Sequence, residues 1–256
     1  METFERAFGN TERAAVSTLR AIKDVEKLAK ALQKAAREGN IGAIKRECSR
    51  LDPTLDSLKE EVSNAVAVWP FKDEEEEAYL RDHYADELRK TAAEKGLDLR
   101  ERDGMLISHP SIVRILPGDR AVRIDKSKKA TLRPSRLTEI LVEQQKKPPR
   151  FRSDAFLKSL YEMYVLLAKA KQGTVIPLAM IYEAFTSCPG SKRDYSKIDF
   201  ARDIYFLEQS DTLSTRSGYR VSFPSSTGSK KAKDTFSFVG PDKQVVTYYG
   251  IQFSGG

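Results

Sequence analysis

Residues 156–223, FLKSLYEMYVLLAKAKQGTVIPLAMIYEAFTSCPGSKRDYSKIDFARDIYFLEQSDTLSTRSGYRVSF, carry the order of elements on which the fold turns. Phe156, Leu157, Leu160, Tyr161, Tyr164 and Leu167 recur at three- and four-residue steps, the spacing of one helix face. Gly173-Thr174-Val175-Ile176-Pro177 is then a short extended piece. Leu178, Ile181, Tyr182 and Phe185 predict a second, short helix closed by Cys188-Pro189-Gly190. A third helix starts near Asp194 or Tyr195, with Ile198, Ala201, Ile204 and Leu207 on its inner face. Thr212 to Thr215 and Tyr219 to Phe223, around Arg216-Ser217-Gly218, read as two strands joined by a glycine turn.

Helix, short strand, helix, turn, helix and β-hairpin resembles the winged helix-turn-helix superfamily over about 156–223. The resemblance is one of fold, which does not settle function. It implies a third helix able to enter a DNA major groove and a wing that touches backbone or minor groove. The contacts it implies are Lys192 and Arg193 ahead of that helix, Tyr195, Ser196, Lys197 and Arg202 on it, and Arg216 and Arg220 on the wing. The same helix carries Asp194, Asp199, Asp203 and Glu208. Phosphate repels these unless they point away or pair with Lys197 and Arg202 at helical spacing. Winged helices also dock proteins, and an acidic face suits that use as well.

Residues 224–234, rich in Ser, Gly and Lys, read as a loop in which Lys230, Lys231 and Lys233 lie near phosphates or simply in solvent. A final hairpin follows, from Thr235 to Val239 and from Gln244 to Tyr248. Phe236, Phe238, Tyr248, Tyr249 and Phe253 are either a base-stacking platform or, as is commoner for alternating aromatics, packing.

Upstream, Lys146-Lys147-Pro148-Pro149-Arg150 is a stiff basic linker and the expected domain boundary. It divides the chain into 1–150, a helical bundle with a basic β-meander and helix, and 151–256, a winged helix with an extra C-terminal hairpin. The class is α+β. The meander is read from alternation at Leu97 to Glu101, the turn Asp103-Gly104, the runs Ile112 to Leu116 and Ala121 to Ile124, and the turn Pro117-Gly118-Asp119-Arg120. Pro134 opens a helix through Leu137, Ile140 and Leu141. Positive charge collects here: Arg114, Arg120, Arg123, Lys126, Lys128, Lys129, Arg133 and Arg136 stand against few carboxylates.

The first third is helical. Val16, Leu19, Ile22, Val25, Leu28 and Leu32 form a stripe on a helix over 11–38, which Gly39-Asn40 ends. Ile44, Cys48 and Leu51 begin a second helix, in which Pro53 demands a kink or restart, and Leu55, Leu58, Val62 and Val66 continue it. A third runs from near Asp73 to Lys95, its acidic run Glu74 to Glu77 suiting the dipole at a solvated helix start. Short connections predict an antiparallel three-helix bundle that supplies oligomer or partner contacts.

The net charge of +7 favours solubility and attraction to polyanions without naming a partner. Cys48 and Cys188 make no disulfide framework and read as buried small apolar residues. No basic-then-apolar leader and no spanning apolar run is present, so a cytoplasmic protein without a membrane partner is expected. Neither His83 nor His109 has a second ligand at zinc spacing, and phosphate-loop, dinucleotide and nucleophile-elbow motifs are missing, so no cofactor is expected. Asp119, Asp125 and Lys128 are the nearest approach to a metal-dependent nuclease constellation. The composition and order of elements therefore point to a non-enzymatic protein on duplex DNA. The alternative is an adaptor subunit whose winged helix binds protein.

Overall fold

The computed structural model describes residues 2–168, 173–224 and 234–255. Helix α1 (Phe4–Glu38) starts seven residues before the expected start at 11, because Thr3 caps it through a side-chain oxygen that accepts from the Arg6 N–H. Gly39, at φ +69°, closes α1 with bonds to the Ala35 and Ala36 carbonyls, and the Asn40 side chain caps α2 (Ile41–Ala67) by accepting from Ala43 N–H. One left-handed glycine followed by one capping asparagine turns the chain into a long antiparallel hairpin.

Its seam differs from the expected stripe. The inward residues of α1 step by four and three through Ala7, Thr11, Ala14, Thr18, Ala21, Val25, Leu28, Leu32 and Ala35. Val16, Leu19 and Ile22 face out. On α2 the seam runs through Ile44, Glu47, Leu51, Thr54, Leu58 and Glu61, a heptad pattern that antiparallel helices share. Small residues let the two helices approach closely. Their hydroxyls cost little, since Thr11 donates to the Ala7 carbonyl at 2.9 Å and Thr18 to the Ala14 carbonyl at 3.0 Å and the Glu61 carbonyl at 3.2 Å. Glu47, not Cys48, is buried, held by Arg46 at 3.0 Å and Arg50 at 3.4 Å.

Cys48 is therefore exposed, as is Cys188 in the loop before Gly190, and the expectation that both are buried is corrected. Helix α2 also continues through Pro53 without a break. Pro53 lies on the exposed side, so the Ser49 carbonyl it cannot serve faces water, while seam contacts hold both flanks.

Instead of one third helix there are two, α3 (Asp73–Asp82) and α4 (Tyr84–Glu94), parted at His83. They pack with Phe4, Leu97, Leu106, Val113, Val122, Leu137 and their neighbours into one core, so the helical region is a long hairpin and two short helices in place of a three-helix bundle. The acidic start of α3 is more than solvated, since Glu76 accepts from Trp69 Nε1 at 2.9 Å and pairs with Arg120 at 2.5 Å.

Strands β1 (Arg100–Arg102), β2 (Met105–Ser108), β3 (Ser111–Leu116), β4 (Ala121–Ile124) and β5 (Ser127–Lys129) form a sheet in chain order, followed by α5 (Pro134–Gln145). The Tyr84 hydroxyl donates to the buried Leu132 carbonyl at 2.7 Å and ties α4 to the segment entering α5.

The chain divides into two compact units, Met1–Arg100 with Gly104–Leu106 and Val113–Val142, and Glu101–Asp103 with Ile107–Ile112 and Glu143–Gly256. In the second, α6 (Ser153–Ala168), β6 (Ile176–Pro177), α7 (Leu178–Phe185), the single turn α8 (Ser191–Asp194) and α9 (Lys197–Glu208) precede β7 (Arg220–Ser222). A hairpin of β8 (Phe236–Val239) and β9 (Val245–Tyr248) comes next, and β10 (Gly250–Ser254) ends the fold. β10 lies between β6 and β7, antiparallel to both. Phe200 on α9 is fully buried among Phe156, Tyr182, Phe185 and Phe236, with ring centroids 5.0–6.2 Å away.

No described helix is long and apolar enough to cross a membrane.

Candidate nucleic-acid interface

Cross-strand register decides which basic residues of the meander meet. Arg114 on β3 stands opposite Arg123 on β4, and Arg123 stands opposite Lys128 on β5. Because side chains alternate along a strand, these three share one face of the sheet, while Val113, Val122 and Ile124 point the other way into the core. Opposed residues have Cβ atoms about 4.5–5.5 Å apart, and like charges in that position are destabilising. The register therefore gathers three basic side chains in one row, of which Lys128 also meets Asp119.

Two turns create this register. Pro117–Asp119 forms a 3-10 turn closed by Arg120 at φ +44°, and Asp125 takes φ +53° before the exposed Lys126. Arg114 Nη1 donates to the Asp125 carbonyl at 3.5 Å, which holds the row beside the second turn. Lys128 pairs with Asp119 at 3.0 Å. Asp119 is thus engaged by a lysine, and among the described residues no group of three or more His, Cys, Asp or Glu is placed to hold a metal.

The remaining basic candidates of this unit fall elsewhere. Lys129 follows Lys128 and so belongs to the opposite face, in register with Val122. Arg133 binds Glu5 at 2.8 Å and Glu12 at 2.5 Å, and Arg136 binds Glu139 at 2.9 Å; like Lys128 they meet carboxylates of their own chain, but they lie off the strands that carry the row.

Glu5 completes that knot by accepting from the Ser135 N–H at 2.7 Å and hydroxyl at 2.8 Å. Burial pushes its carboxyl up, but the bonds from Arg133 and Ser135 outweigh this and hold it below the usual carboxylate range. A lowered folded pKa contributes stability above the unfolded value, lost as pH falls through the folded one. Arg133→Gln is accordingly expected to cost about 1 kcal/mol at pH 7, given how much solvent screens the pair. The difference from wild type closes as pH falls below the ordinary glutamate value of 4.5, a trend that urea titrations at stepped pH would follow.

In the second unit the helix expected to enter a groove, α9, is covered. Ile198, Asp199, Phe200, Ala201, Arg202, Ile204, Tyr205 and Leu207 of α9 are all buried. Strand β8 closes one side, with Phe236 5.0 Å from Phe200 and Phe238 5.5 Å from Tyr205.

Three of its expected DNA contacts are structural instead. Arg202, 8% exposed, lies within 3.7 Å of Asp199 and 3.5 Å of Asp203. The Tyr195 hydroxyl donates to Asp203 at 2.8 Å, and burial of that pair pushes both groups up. Ser196 is the N-cap, in a reciprocal box with Asp199. These assignments are corrected for one physical reason: Asp199 and Asp203 engage Arg202, Tyr195 and Ser196 on and just before this helix, beneath a covering strand.

Lys192 pairs with Glu183 at 2.7 Å, Arg193 lies 3.7 Å from Asp194, and Lys197 sits 5.8 Å above the Phe236 ring. Arg216 and Arg220 are exposed around the turn of the hairpin that Thr215 and Tyr219 close. Lys230, Lys231 and Lys233 lie outside the described residues.

The aromatic platform is packing as well. Phe236, Phe238, Tyr248 and Phe253 are buried, Tyr248 donates to Glu208 at 2.5 Å, and Phe253 meets Tyr161 and Tyr164 at about 5 Å. His109 packs on Tyr205, Phe206 and Phe238, where burial pulls its pKa down.

Compared with family models, curated proteins and solved structures, the chain matches none.

Proposed function

We propose that this is a non-enzymatic, nucleic-acid-associated protein that grips the backbone of duplex DNA with one face of its basic sheet. The observation that carries the reading is the row Arg114, Arg123 and Lys128 on three adjacent strands, flanked by Lys126. Phosphate contacts with such a row release condensed counterions, the term that dominates affinity for a duplex. Contacts of this kind position a duplex without reading its sequence.

The second unit supports a winged-helix reading at the level of topology. Its three helices α6, α7 and α9, and a sheet in which the last strand lies between β6 and β7, follow that order, with β8–β9 as an insertion in the wing. The covering of α9 by β8 argues against major-groove entry and favours the second reading, an adaptor whose winged helix meets protein.

Fluorescence anisotropy of a labelled duplex, titrated at several salt concentrations, separates the two. Binding that weakens steeply with salt is expected, together with a loss of about 2.7 from the log–log salt slope in the triple variant Arg114→Gln, Arg123→Gln, Lys128→Gln. Lys197→Gln leaves the slope unchanged. An unchanged slope in a folded triple variant would remove the sheet from the interface. No binding at any salt, with a stoichiometric protein partner on purification, decides for the adaptor.

A further inference from the structure

We infer that the outer apolar face of the α1–α2 hairpin is the contact surface for a second copy of this chain, two hairpins packing antiparallel about a two-fold axis as a four-helix bundle. The small-residue seam leaves the larger apolar side chains outside, and they gather on one flank. Leu19 and Ile22 of α1 are 57% and 45% exposed, and Val62 and Val66 of α2 are 42% and 80% exposed. Ala15 and Leu55 fill the positions between them on the same flank of the heptad pattern. The opposite flank presents Ser17, Asp24, Arg50 and Ser57. A helix pair apolar on one flank alone has a side to bury.

Size and charge both select a second copy as the occupant. The seam of about 25 residues spans on the order of 36 Å, and two helices side by side make a face roughly 20 Å wide. That is roughly 700 Å² on each copy, near the 800 Å² per partner of a stable interface.

Charges at the rim mirror one another as a two-fold axis requires. On α2, Asp52 and Lys59 stand to either side of Leu55, and on α1, Lys23 and Glu26 stand to either side of Val25. The bond from Thr18 Oγ1 to the Glu61 carbonyl sets the register of the hairpin and brings Val25 level with Thr54. Both midpoints thus fall at one height, within about one residue rise of 1.5 Å. An axis crossing the hairpin there sets Lys59 opposite Asp52 of the second copy, and Lys23 opposite Glu26. In the single chain, Glu26 pairs with Lys30 at 2.6 Å and Lys59 with Asp56 at 2.8 Å, exposed contacts that are weak enough to exchange. The inference is independent of the polyanion reading.

Sedimentation equilibrium of the full chain from about 1 to about 200 µM is the first measurement, with a dimer expected in the micromolar range. Ile22→Asp is expected to raise the dimer Kd roughly a hundredfold and Lys59→Asp roughly tenfold. Asp52→Lys combined with Lys59→Asp restores the wild-type value, which a merely structural effect of either change does not do. These positions are on the surface, and circular dichroism verifies that each variant is folded.

Under mild oxidation Leu55→Cys is expected to cross-link across the axis. The two native Cys48 thiols stand on the order of 20 Å apart and do not, being beyond disulfide reach. A monomer throughout, a dimer indifferent to Ile22→Asp and to the charge swap, or cross-linking through Cys48 in place of position 55 overturns the inference.

Discussion

Phe4→Ala is expected to destabilise the first unit by about 3–5 kcal/mol, a large share of the roughly 5–15 kcal/mol that holds a domain folded. Phe4 is 1% exposed. Its ring stacks on Tyr79 at 4.6 Å and meets Phe71 at 5.0 Å, Phe8 and Tyr84 at 5.8 Å and Trp69 at 6.0 Å. The backbone is fixed beside it, because Glu87 accepts from the Phe4 N–H at 3.2 Å and the Glu5 N–H at 2.8 Å. Removing the ring leaves a cavity walled by four other aromatic rings and Trp69, which cannot all collapse at once. The chain has one tryptophan, so intrinsic fluorescence during guanidinium titration reports on this unit. A loss under about 1 kcal/mol would mean that the first turn of α1 contributes little to the core.

The second large effect belongs to Arg202. Replacing it with methionine keeps the aliphatic stem but leaves the carboxylates of Asp199 and Asp203 with no cation between them, at an expected cost of about 3–5 kcal/mol near pH 7.5. The pH dependence has a definite sign. Burial already raises the Asp203 carboxyl above its ordinary value of 3.8, while Arg202 and the Tyr195 hydroxyl pull it down.

A group whose folded pKa is raised contributes stability below its unfolded pKa, and that contribution is lost as pH rises through the folded value. Without Arg202 the folded value climbs further. The deficit of Arg202→Met is therefore greatest at neutral pH and shrinks as pH falls toward 4, where Asp203 takes up a proton. Arg202→Met with Asp203→Asn is expected to recover much of the loss at neutral pH. Thermal melts followed by circular dichroism at stepped pH measure both effects, and a deficit that stays flat with pH would deny the buried pair this role. Trp69 fluorescence, which reports on the other unit, serves as the internal control.

Much of the architecture was legible in residue order. Periodicity gave the helices at 153–168, 178–185 and 197–208, and glycine-bearing turns gave the pairs β1–β2, β3–β4 and β8–β9, whereas β5 follows a turn without glycine and the strand expected at 212–215 is reduced to a bridge between Ser214 and Arg220. These signals are local: capping, turn geometry and the switch between helical and alternating patterns act over a few residues. Local chemistry also decided the hairpin turn at Gly39-Asn40.

What only tertiary structure decided is which face of each element turns inward and what covers it. On α1 the larger side chains Leu19 and Ile22 suggested the buried stripe. The seam instead took Ala14, Thr18 and Ala21, because close helix approach rewards small residues and the threonine hydroxyls find backbone carbonyls. On α9 the cations and aspartates suggested a ligand-facing surface, yet a hairpin about thirty residues later in the chain buries them against one another. The alignment of Arg114, Arg123 and Lys128 likewise depends on register, which two turns set together and no single segment contains. Sequence alone determined most of the elements and the charge they carry, though not the break at His83 or the continuity of α2 through Pro53. Packing between distant segments determined which charges meet solvent, since burial and register are properties of pairs of segments.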